Sequence, residues 1–122
     1  MFRLSADCEF AMDFLDRYRE IVIRLIEEYA AYKPAYGDVR TEAVLDRDHD
    51  HYEVVQVGWN GGWRVHGSII HIDIRDGKVW IEHNGTDARL GEELVAAGIA
   101  RSDIVLGFQP AELRPLTGYG VG

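Results

Sequence analysis

The sequence predicts an α+β domain: an N-terminal helix, a four-stranded antiparallel meander, a C-terminal helix and an irregular tail. Three observations carry this reading. An apolar stripe of helical period opens the chain, and a period of two takes over between Asp38 and His83. Glycine and proline then crowd the stretch from Gly107 to Gly122.

The helix is read from about Asp13 to Tyr32. Phe14, Tyr18, Ile21, Leu25 and Tyr29 recur every three or four residues, with Leu15, Val22 and Ile26 widening the stripe. Charged residues take most of the remaining positions, as on an amphipathic helix of about 20 residues and roughly 30 Å. Asp13 is the expected N-cap. Pro34 is the expected stop, because proline disfavours helical geometry in the residue before it.

Alternation then begins. Val39, Thr41, Ala43 and Leu45 alternate with more polar neighbours, and Arg47-Asp48-His49-Asp50 reads as a polar turn. A valine- and aromatic-rich strand runs from Tyr52 to Trp59, and Asn60-Gly61-Gly62 is a hairpin signal. In the third strand, Trp63 to Arg75, the apolar phase switches between Trp63-Val65 and Ile70-Ile72-Ile74. Gly67 lies between them, so a bulge is expected there. Asp76-Gly77 turns the chain into a fourth strand, Lys78 to His83. Thr86 is the expected cap of a second helix carrying Leu90, Leu94 and Val95 and ending at Gly98. Ser102-Asp103 reads as a short turn before Ile104-Val105-Leu106.

Composition narrows the function. The 122 residues suit one domain, and 47% hydrophobic with 28% charged residues is ordinary for a globular fold. The single cysteine, Cys8, cannot close an internal disulfide, and it is read as an idle residue near a frayed end. The sequence shows neither a secretory signal nor an apolar run of the roughly 20 residues that span a bilayer, so a cytoplasmic protein is expected. Thirteen basic residues against 21 acidic ones give a formal charge of -8, with only two lysines. Nucleic-acid binding needs clustered cations to replace phosphate counterions, so direct binding is disfavoured. A basic protein partner suits this surface better.

Asp48-His49-Asp50-His51 is the sharpest chemical cluster, since carboxylates and imidazoles are preferred zinc ligands. It lacks the helical His-x-x-x-His spacing and falls where the chain must turn, so a solvated turn is the favoured reading. His71 and Asp73 share a strand face and could act as an acid/base pair or simply line the wet side of a sheet. Glu82 and His83 point to opposite faces if their strand is regular. Neither a catalytic residue nor a cofactor or metal ligand is assigned. Trp59 and Trp63 flank the hairpin turn. Interface hot spots and core packing are equally good readings for them. With Tyr36 and Tyr119 they make up the candidate partner interface.

A family resemblance runs through these same residues. Tyr18-Arg19-Glu20-Ile21, Glu28-Tyr29-Ala30 and Lys33-Pro34-Ala35-Tyr36-Gly37-Asp38 are followed by Asp48-His49-Asp50-His51-Tyr52 and Val57-Gly58-Trp59. Next come His71-Ile72-Asp73-Ile74, Gly77-Lys78-Val79-Trp80-Ile81 and Asp103-Ile104-Val105-Leu106-Gly107-Phe108, and Gly120-Val121-Gly122 closes the series. In this order they resemble the XisI family over about residues 12–122, leaving 1–11 as an N-terminal extension. Asn60-Gly61-Gly62-Trp63 departs from the more polar residues of relatives.

The resemblance implies a cyanobacterial controlling factor for excision of the fdxN element, a programmed DNA deletion during heterocyst differentiation. Recombination chemistry there belongs to a separate recombinase, XisF, and XisI-like proteins are encoded beside XisH-like ones. The expectation is therefore a non-catalytic accessory factor that contacts an XisH-like partner or the recombinase, and that also self-associates. Masking of a basic or nuclease-like partner is a variant of this reading. The alternatives are a small metal-dependent hydrolase built on Asp48, His49, Asp50 and His51 with His71 nearby, and a DNA-binding module.

Overall fold

A computed structural model describes residues 6–34 and 37–122. Helix α1 spans Ala6–Ala30. It starts earlier than expected, and Asp13 lies inside it and does not cap it. Residues 6–12 contain neither glycine nor proline, so nothing local halts the helix before Asp13, and Cys8 is helical. At the other end Ala31 N donates to the carbonyls of Glu27 and Glu28, and Tyr32 N to that of Tyr29. This tightened last turn carries the chain to the extended segment before Pro34.

Four strands follow: β1 (Asp38–Asp46), β2 (His51–Asn60), β3 (Trp63–Arg75) and β4 (Lys78–Asn84), each antiparallel to the one before. The turn into β4 has Asp76 at φ 54° and Gly77 at φ 75°, the left-handed pair that matches the twist of a two-residue hairpin. Helix α2 covers Leu90–Ala97. Thr86 does not cap it. Its hydroxyl donates to Asn84 Oδ1 and accepts from Ala88 N, so it organises the loop one turn upstream. Gly98 ends the helix as expected, at φ 121°, with its N–H on the carbonyls of Leu94 and Val95. Ile99 N donates to Leu94 O, and both of these side chains are buried, which completes the Schellman arrangement.

The expected four-stranded meander gains a fifth strand. β5 (Ile104–Leu106) pairs in parallel with β4, so the sheet is mixed, with order β1-β2-β3-β4-β5. The intervening α2 supplies the crossover that a parallel pair requires. The tail is not wholly irregular, since Ala111–Leu116 form a 3-10 helix and Gly120 bridges Val105.

Two bulges set the faces. Val55 pairs with Ser68 but Val54 with Ile70, which leaves Ile69 as an extra residue two positions beyond Gly67. His71 pairs with His83 but Ile72 with Ile81, so Glu82 is unpaired and the strict alternation assumed for Glu82 and His83 is broken there. One face presents Tyr52, Val54, Ile70, Ile72, Ile74, Val79 and Ile81 to the buried side of α1 and to Leu90 and Leu94 of α2. The opposite face carries His51 and Glu53 of β2 and His71 and Asp73 of β3, with half-buried Val55 and Val57 further along β2. Towards β4 and β5 it holds buried Trp80 and Val105, with Arg75 3.9 Å and Arg114 of the tail 5.2 Å from the Trp80 ring. Among the described residues no helix is long and apolar enough to cross a membrane.

Candidate functional site

Residues 47–50 form the expected turn, with Asp48 and His49 exposed, and the turn does not gather Asp48, His49, Asp50 and His51 into one site. Asp50 takes a left-handed conformation, φ 56°, which an Asp side chain tolerates better than most. Its carboxylate accepts from Arg19 Nε at 2.8 Å, from Arg19 Nη2 at 3.1 Å and from the Tyr52 hydroxyl at 2.6 Å. Burial pushes its pKa up, but the hydrogen bonds from Arg19 and Tyr52 outweigh this and hold it below the ordinary value. Asp50 thus ties the turn to α1. His49 stays on the surface, its Nδ1 3.0 Å from Asp46 Oδ2. The four-residue metal site considered for a hydrolase is not assembled, because the turn at Asp50 sends its members in different directions.

His51 instead joins His71 and Asp73. The His51 Nδ1 lies 2.8 Å and the His71 Nε2 2.7 Å from the same oxygen, Asp73 Oδ1. Asp73 is the buried member, 8% exposed. The two rings stand toward solvent, with side-chain exposures of 52% for His51 and 32% for His71. His51 pairs directly with Asp73 across β2 and β3, and His71 precedes Asp73 by two residues on the same strand face. The hydrogen bond and charge of Asp73 raise the pKa of His51, with Asp46 and Glu53 adding to the effect. Residue reading placed His71 and Asp73 on one face but missed His51. The bulge at Ile69 explains why. Continuing the register from the hairpin tip, where Asn60 faces Trp63, would set His51 against Ile72, and the extra residue sets it against Asp73.

A second feature lies at the opposite end of β2. Trp59 is 52% and Trp63 79% exposed, on either side of the Gly61-Gly62 turn, and Arg64 stacks 5.3 Å from the Trp59 ring. Trp59 pairs with Asp38, the first residue of β1. At the neighbouring Gly58 the strands approach so closely that a Cβ would collide with Asp38 O. Among the described residues nothing pairs with the outer side of β1, whereas the edge at β5 is met by Gly120. Trp59 therefore sits beside the end of the β1 edge, and Trp63 lies across the hairpin tip on β3.

Comparison with known proteins places the fold. The family described as XisI protein matches residues 12–121. This chain belongs to the XisI family. Among solved structures, a XisI-like protein from Anabaena variabilis is 42% identical, with a TM-score of 0.83 over 88% of this chain and 99% of that one. The fdxN element excision controlling factor XisI from the same organism is 31% identical, with a TM-score of 0.77 over 89% of this chain and 99% of that one. No curated protein matches.

Within this XisI-family chain the four aromatic residues singled out from sequence have different fates. Trp59 and Trp63 share the hairpin tip. Tyr36 lies outside the described residues. Tyr119 is half-buried: its ring lies against Gly91, Arg101 stacks 5.0 Å from it, and its hydroxyl donates to Glu92. Trp80, on β4, is buried under the tail.

Proposed function

We propose that this chain is a non-catalytic, cytoplasmic accessory factor in the control of DNA excision, acting through contacts with an XisH-like protein or a site-specific recombinase. The observation that carries this reading is exposed Trp59 at the end of a β1 edge that is unpaired among the described residues, with exposed Trp63 at the adjoining hairpin tip. An extended segment of a partner can add to β1 through main-chain hydrogen bonds while the two indoles supply desolvated contact area. Two lysines in a chain of net charge -8 argue against a phosphate-gripping surface and favour a basic partner. Family membership supports the process, since the 31% identical relative bears the name of an excision controlling factor.

Co-purification with an XisH-like protein tests the reading. A complex at micromolar concentrations is expected, and Trp63→Ala should weaken it by about 30-fold, the usual effect of losing a hot-spot tryptophan. Absence of a complex with both that protein and the recombinase would count against the proposal. So would an unchanged affinity in a Trp59→Ala/Trp63→Ala double variant.

A further inference from the structure

We infer that His51, His71 and Asp73 form a site for a single zinc-like divalent transition-metal ion, held on the polar face of the sheet. His51, His71 and Asp73 each offer one donor atom, and these atoms all lie within 4.8 Å of one another. They converge from two adjacent strands, His51 through Nδ1 and His71 through Nε2. Two imidazoles and a carboxylate are a donor set that suits zinc and its neighbours and discriminates against magnesium, which prefers oxygen ligands and retains its waters.

Both imidazoles aim at a single carboxylate oxygen, at 2.8 and 2.7 Å. Tetrahedral ligands with bonds near 2.0 Å stand about 3.3 Å apart, so the site must widen by about half an ångström to admit the ion. The exposed His51 ring can make that movement, while Asp73 remains fixed in the middle of the sheet. With the ion bound, each imidazole would be neutral, its ligating nitrogen without a proton and its N–H on the far nitrogen.

The surroundings favour a cation. Asp46 faces His51 across β1 and β2, and Glu53 faces His71 across β2 and β3. His49 is not a fourth ligand, since it does not join the donor group formed by His51, His71 and Asp73 and its Nδ1 is engaged by Asp46. Three protein ligands with the fourth position open to water are the result.

The test uses the untagged full chain, stripped with chelator and titrated with zinc ions in competition with a chromogenic chelator. One ion per chain at low-micromolar or tighter affinity is expected, with no competition from millimolar magnesium. His71→Ala and Asp73→Asn should each weaken binding by about tenfold or more. His51→Ala, at an exposed ring, serves if the Asp73 variant does not fold. His66→Ala, at the far end of β3, should have no effect. Imidazole nitrogen NMR shifts should report zinc on Nδ1 of His51 and on Nε2 of His71. Absence of stoichiometric binding would overturn the assignment. Affinity unchanged in all three ligand variants, or shifts confined to His49, His66 and His83, would do the same.

Discussion

Replacing Asp50 by alanine probes the contact that joins the β1–β2 turn to α1. The substitution removes two guanidinium hydrogen bonds and the only described partner of the Tyr52 hydroxyl, on a residue with no exposed surface. A buried hydroxyl left without a partner costs about 1–3 kcal/mol. Arg19 loses less, because it is one quarter exposed and keeps Asp16 at 2.9 Å. Alanine at φ 56° adds about 1 kcal/mol of backbone strain that Asp and Asn largely avoid. The expected loss is about 3 kcal/mol, or about 10 °C in Tm for a domain of this size. Asp50→Asn keeps an acceptor for Tyr52 and the turn conformation, and should lose only about 1 kcal/mol. Urea unfolding of both variants, with Tyr52→Phe to close a double-mutant cycle, measures these terms. If alanine and asparagine are equally mild, or if Tyr52 and Asp50 show no coupling, the anchoring argument is wrong.

Three further predictions follow from the geometry. Gly58→Ala should destabilise by about 3 kcal/mol, the upper end for overpacking, because its Cβ would collide with the backbone of Asp38 and Val39 on β1; unchanged urea unfolding would show that β1 can simply move away. Ile72→Ala, at a site with no exposed surface, should cost about 2–5 kcal/mol by the same assay, and a loss below about 1 kcal/mol would contradict its place in the core. The Glu92 carboxyl is lowered from 4.5 to about 2 by its hydrogen bonds from Arg101 and then Tyr119. Its contribution is therefore present above pH 4.5 and lost as the pH falls toward about 2, so Glu92→Gln should flatten that limb of the stability curve. An NMR titration midpoint for Glu92 near 4.5 would remove the basis for this.

Local chemistry made much of the fold legible. The period of α1, the Gly61-Gly62 and Asp76-Gly77 turns and the Gly98 terminus are all written in short stretches of sequence. β5 was not, because three residues are too few to display a period and its partner is reached only through a crossover helix. Thr86 has the chemistry of a helix cap, but Asn84 holds it in a different turn. The histidine cluster was half legible. His71 and Asp73 are two residues apart on one strand, whereas His51 joins them only once the extra residue at Ile69 is counted into the register. The expected bulge was placed at Gly67, since glycine marks where a strand can bend but not which neighbour loses its partner.

The two borders of the sheet have opposite consequences for assembly. With the β5 border met by Gly120, growth by strand addition is possible in one direction alone. Two copies joined β1 to β1 would exhaust each other's free border and stop at a closed pair, where a sheet open at both ends could propagate into a fibre. A foreign strand seated there would equally block that pairing, so heterologous capture and self-association compete for the same main-chain groups.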